Sequence, residues 1–308
     1  MALIRIDLRD GAPALHRADA PVARALQAQA GGTGPVILMI HGFKFAPGEP
    51  GNCPHDHILS LKSDHTCRKA KSWPRALGID GRHPDRLGIA FGWPARGSIW
   101  QAYARAEAAG RALARLIRDI RRHLPGRPVH AIAHSMGARV VLSALHDLPP
   151  GALSRAILLA GAEYRAHAEA AMATPAGRHL EVINVASREN RLYERLFERL
   201  IPAPRPGDRV LGHHAPDAPG WTTLPIDDPE TLSALAAHGF RIAVRRRRVC
   251  HWSTYLRPGV FDLYAALLAE PDPLPIAALR SMIAPRTPCA RPRPPLLPAW
   301  ASTGVGNA

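Results

Sequence analysis

Two hydrophobic periods take turns along this chain. Short apolar runs of strand length occupy 35–40, 129–134 and 156–162, while 2–8 and 180–186 alternate apolar and polar residues in the period of two of a pleated strand. Between them lie stretches with helical spacing. The longest starts at Ser98, a candidate N-cap, and sets Ile99, Tyr103, Leu113, Leu116, Ile117 and Ile120 on one face before Pro125-Gly126 ends it. Further helices are predicted from Arg139 to Leu145, stopped by Pro149-Pro150-Gly151, over 191–200, and from near Pro258. An alanine-rich amphipathic stretch precedes residue 30, and the apolar-basic segment 240–249 reads as a late strand. Strands buried on both faces and separated by helices describe an α/β architecture, with a mostly parallel central sheet and helices on both faces. A chain of 308 residues, 46% apolar, buries a large core. With no internal repeat and no second core, residues 1–284 read as a single domain, and 46–81 as an insertion that breaks the alternation.

The junction Val129-His-Ala-Ile-Ala-His-Ser135-Met-Gly137 carries the clearest chemistry. An apolar strand runs into a serine flanked by small residues and then into a helix, the sequence form of a nucleophile elbow. Strand and helix approach closely at such a turn, which asks for small residues at Ala133 and Gly137, beside His134 and Met136. Such a serine needs donors for an oxyanion, a base, and an acid to orient the base. The strand 35–40 empties into His41-Gly42-Phe43-Lys44. Gly42 lets the backbone come close, and the N–H groups of Phe43 and Met136 are the candidate oxyanion donors. His251, in Cys250-His-Trp-Ser-Thr-Tyr255, is the candidate base. For the acid, Glu189 is the first choice because it follows the strand 180–186. Glu163, at the end of 156–162, is the alternative. Outside catalysis, Glu163 would pair with Arg165, Glu189 would face a helix N-terminus, and Asn190 would cap the helix 191–200.

With these segments in place, Ile40-His-Gly-Phe43, Phe91-Gly-Trp-Pro94, Ala133-His-Ser-Met-Gly137 and Cys250-His-Trp252 resemble an α/β-hydrolase-fold serine hydrolase, from about residue 35 to 268. More narrowly, they resemble a poorly characterised bacterial esterase/lipase-like group. The resemblance implies Ser135 as nucleophile, His251 as base and a small-molecule ester as substrate, with thioesterase or amidase chemistry using the same parts. No metal or organic cofactor is required. It departs from the usual pattern at Ala133, where glycine is common, and at Arg191, near the acid loop. A non-catalytic binding or scaffold protein on this fold is the competing reading.

Composition adds less. The net charge of +15 invites a nucleic-acid or anionic-membrane partner, but the excess is arginine scattered through the chain, with lysine only at Lys44, Lys62, Lys69 and Lys71. No nucleic-acid partner is expected. Arg245-Arg-Arg-Arg248 remains a candidate for anionic substrates, or a charged strand edge that resists aggregation. The insertion 46–81 reads as a lid or pocket wall. It holds Cys53, His55, His57, His65 and Cys67, whose spacing fits no standard zinc pattern, so they are expected to be solvated, with no metal and no disulfide. Trp93 and Trp100 read as core rather than pocket. No run approaches the ~20 apolar residues of a membrane helix and the first residues lack a signal-peptide core, so no membrane insertion and a cytoplasmic location with reduced cysteines are expected. Residues 285–308, rich in Pro and Arg, read as a disordered tail.

Overall fold

The computed structural model describes residues 3–62, 67–269 and 273–283. Eight strands form one sheet: β1 (Leu3–Arg9), β2 (Ala12–Leu15), β3 (Val36–Ile40), β4 (Leu87–Gly92), β5 (Val129–His134), β6 (Arg155–Leu159), β7 (Glu181–Ala186) and β8 (Trp221–Pro225). Their spatial order is β2-β1-β4-β3-β5-β6-β7-β8, with β1–β2 antiparallel and every other pair parallel. The helices are α1 (Val22–Gln27), α2 (Trp73–Ala76), α3 (Ile99–His123), α4 (Gly137–Ala144), α5 (Arg165–Met172), α6 (Arg191–Leu200), α7 (Pro229–Ala237), α8 (Ser253–Leu256), α9 (Val260–Leu267) and α10 (Ile276–Ser281). Two apolar cores, one on each sheet face, account for the doubly apolar strands. Ile40, Leu38 and Val36 of β3 point into one core, and Ile37 and Met39 into the other. This is the mostly parallel α/β-hydrolase architecture expected from the sequence.

The long helix α3 starts where its cap predicts. Ser98 accepts from the Gln101 N–H while the Gln101 side chain accepts from the Ser98 N–H, a reciprocal capping box. Three local expectations are corrected. The stretch before residue 30 yields a short hairpin and only six residues of α1. Residues 240–249 form no strand: β8 is the strand beside β7 and the last of the sheet, and the Ala243 N–H donates to the Pro258 carbonyl instead (3.0 Å). The insertion is not a solvated loop throughout: Cys53 and His55 are buried, and His55 donates to Asp7 across to β1 (2.8 Å). Cys53 and Cys67 are free thiols, whereas His65 and the tail 285–308 lie outside the described residues. Among the described residues no helix is long and apolar enough to cross a membrane.

Candidate active site

Parallel pairing brings the carboxyl ends of β3, β5, β6 and β7 to one edge of the sheet, so the loops that follow them converge there. Ile40 pairs with Ala133, which sets His41-Gly42-Phe43 directly beside Ser135. Ser135 has φ +55°, the left-handed conformation that a non-glycine residue adopts at a cost of about 1–3 kcal/mol when its surroundings force it. Small residues make the turn possible. A Cβ on Gly42 would lie 2.7 Å from the Ser135 Cβ, and one on Gly137 would lie 2.8 Å from the His41 carbonyl oxygen.

His41 orients the loop that follows β3, which carries the candidate oxyanion donor Phe43. Its Nε2 accepts from the Trp93 N–H (3.0 Å), so Nδ1 carries the proton and donates to the Gly42 carbonyl (2.8 Å). In a trans peptide the next N–H points opposite to that carbonyl, so the Phe43 N–H is turned away from His41. Burial holds the His41 ring neutral, with a pKa lowered to about 3. Among the described residues, neither the Phe43 nor the Met136 N–H is paired with a backbone carbonyl, and both residues line the cavity that Ser135 lines. Trp93 is core, as expected, stacked on His41. Trp100 is largely exposed and donates to the Leu200 carbonyl.

The cavity encloses about 410 Å³ and brings together Phe43, Ser135, Met136 and His251, the sequence-derived nucleophile, base and donors. It does not bring in either glutamate as the partner of His251. Glu189 is buried and turned the other way: Arg257 donates to its carboxylate (2.5 Å), as does the Arg247 N–H (3.1 Å). Glu163 is buried against Arg139 (2.6 Å) and Tyr103 (2.6 Å), not Arg165. The partner is Asn190, whose Oδ1 lies 2.7 Å from His251 Nδ1. Asn190 occupies the N-cap position of α6, as expected, but its side chain makes no capping bond; its Nδ2 donates to Glu194 (2.9 Å), one turn along that helix.

This chain fixes the protons. A carboxylate only accepts, so the Asn190 amide presents Nδ2 to Glu194 and Oδ1 to His251. The amide oxygen also only accepts, so His251 Nδ1 holds the proton and Nε2 is the basic nitrogen. Beyond Glu194 stands His213 (3.3 Å), itself beside Glu198 (3.1 Å). Burial pushes the Glu194 carboxyl up, against the Asn190 amide and His213, which favour its charge. Burial, with His134 and Lys69 nearby, holds His251 well below the usual histidine range. His134 packs against the His251 ring (centroids 4.6 Å apart) and donates from Nε2 to its carbonyl (3.1 Å), while Tyr193 stacks on the same ring (4.8 Å).

Residues 32–157 match the model of a family described as Alpha/beta hydrolase of unknown function (DUF900), a span that holds His41-Gly42-Phe43 and Ser135 but ends before Asn190 and His251. No curated protein matches the chain. Its sheet order, the strained serine between β5 and α4 and this match together make the chain a protein of the α/β-hydrolase fold, resembling that poorly characterised hydrolase family.

Proposed function

We propose that the protein is a serine hydrolase of carboxylic esters, working by acyl transfer to Ser135 and then to water. The observation that carries this reading is the His251–Asn190–Glu194 chain in the cavity of a strained serine. His251 Nε2 takes the Ser135 proton as Oγ attacks the ester carbonyl. The Phe43 and Met136 N–H groups receive the oxyanion. The same nitrogen returns the proton to the leaving oxygen, and water then repeats the cycle on the acyl-enzyme. No metal enters these steps.

The apolar side chains Ile99, Leu196, Phe197, Leu200 and Val210 supply the wall for an acyl group. Esters suit a base held by an amide oxygen, because an alkoxide leaves with less proton transfer than an amine requires. One observation favours the non-catalytic alternative: among the described residues no carboxylate touches His251. Labelling with a fluorophosphonate probe separates the two. The wild type is expected to label, and Ser135→Ala and His251→Ala are expected to abolish labelling; folded wild-type protein that stays unlabelled would leave a binding or scaffold role.

A further inference from the structure

We propose that the cavity on the far side of His251 is an anion subsite, and that the ester cleaved carries a phosphate-class anion on its leaving group. The inference rests on the serine-hydrolase reading. A second cavity of about 330 Å³ is lined by Cys250, Trp252 and Ser253, the residues flanking His251 in the chain, and by Arg68, Lys69, Arg246 and Arg247. It adjoins the Ser135 cavity, since Lys69 and Trp252 line both. The Lys69 ammonium sits 3.6 Å from the Trp252 ring centroid, which holds a positive charge at the junction.

The charges of this wall are unbalanced. Its one carboxylate, Glu189, is already neutralised by Arg257. Among the described residues no carboxylate forms an ion pair with the other four cations. Glu189 also receives the Arg247 N–H, and its carbonyl receives the Cys250 N–H (2.9 Å), so it ties the basic segment to the base. Several cations around one small cavity suit a tetrahedral dianion with three acceptor oxygens better than a single carboxylate, for which one guanidinium fork suffices.

Chemistry assigns the anion to the leaving group. His251 must reach the departing oxygen to protonate it, so the alcohol portion lies against His251, and the cavity beyond that residue receives what the alcohol carries. Leu196, Phe197 and Leu200 line only the other cavity, on the acyl side. The bond broken is that between the carbonyl carbon and the alcohol oxygen. The serine proton ends on that oxygen, a phosphate-bearing alcohol departs, and water releases the acyl group as a carboxylic acid.

A matched pair of soluble substrates, monobutyrylglycerol and its phosphate monoester, tests the proposal. The phosphorylated ester is expected to have a kcat/KM at least about tenfold higher, chiefly through KM, one charge-assisted hydrogen bond being enough for that factor. The advantage should shrink with added salt, and inorganic phosphate and pyrophosphate should compete with this substrate. In Arg246→Gln/Arg247→Gln, two exposed positions, the ratio of the two kcat/KM values is expected to fall toward one. Equal kcat/KM values in wild-type protein that labels with the fluorophosphonate would overturn the anion subsite alone, as would preference for a carboxylate-bearing butyryl ester. Absent labelling and no hydrolysis of either ester would overturn the hydrolase reading beneath it.

Discussion

In the proposed mechanism, an asparagine in the position of the orienting acid changes what His251 gains from its partner. A carboxylate on Nδ1 would meet the developing imidazolium with a full charge; Asn190 Oδ1 offers a dipole, and the charge stands one link away on Glu194. The link still sets the tautomer, which a lone asparagine, free to turn its NH₂ toward the ring, would not. Asn190→Ala is therefore expected to lower kcat/KM on the order of a hundredfold, at the low end of what a positioned base supplies. Glu194→Gln should cost about tenfold, since a glutamine oxygen still accepts from Asn190 but brings no charge. Asn190→Asp should not rescue alone, because two carboxylates at 2.9 Å share a proton, whereas Asn190→Asp/Glu194→Gln should restore activity. Steady-state kinetics on a butyrate ester read all four, and an Asn190→Ala enzyme as fast as wild type would sink the assignment. The sequence led to the adjacent residue for a geometric reason. Residues 188–190 form a 3₁₀ turn, where neighbours point about 120° apart, so Glu189 faces Arg257 while Asn190 faces His251. The i,i+4 pair Asn190 and Glu194 at the start of α6 was the available signal.

At the scale of elements, the strands most legible in the sequence were those buried on both faces. β3 is an unbroken apolar run, and β5 and β6 are mostly apolar despite His130, His134 and Arg155, because each packs into two cores; their order delivers His41-Gly42-Phe43 and Ser135 to neighbouring loops. The edges were harder to read. β8 is five residues with two threonines, and 240–249 looks strand-like yet pairs with no strand. The turn from β5 into α4 is the element whose packing the chemistry depends on, because its clearance is measured against backbone. In Gly137→Ala the new methyl would meet the His41 and Ile40 carbonyl oxygens at 2.8 and 2.9 Å, neither of which can rotate away. A cost of about 1–3 kcal/mol is expected, and the accommodation displaces Met136 and Ser135 together. Urea denaturation should show the lower midpoint and fluorophosphonate labelling should be lost or greatly slowed. Wild-type values in both measurements would mean that strand and helix are not in this contact.

For the whole molecule, burial of histidines links the fold and the site through pH. His41 and His134 support the proposed oxyanion loop and the proposed base, and His130 lies on β5; burial lowers the pKa values of His41, His134 and His130 to about 3, 4 and 4. The unfolded chain regains the ordinary histidine value of 6.5, so below that pH it binds protons that the folded protein refuses. Stability is thus expected to be full above 6.5 and to fall progressively from there toward pH 4, as protons favour the unfolded state. His251 is depressed in the same direction, so the neutral base that Ser135 needs persists below 6.5. The acid limb of kcat/KM is then expected below pH 6.5, inside the range where the melting temperature is already declining, and lowering the pH should inactivate the protein by loss of structure as much as by protonation of its base. Melting curves and kcat/KM across pH 4–8 test the coupling. A melting temperature flat to pH 4 would mean the three rings are hydrated in solution, and an acid limb above 6.5 would mean that the base is not the buried His251.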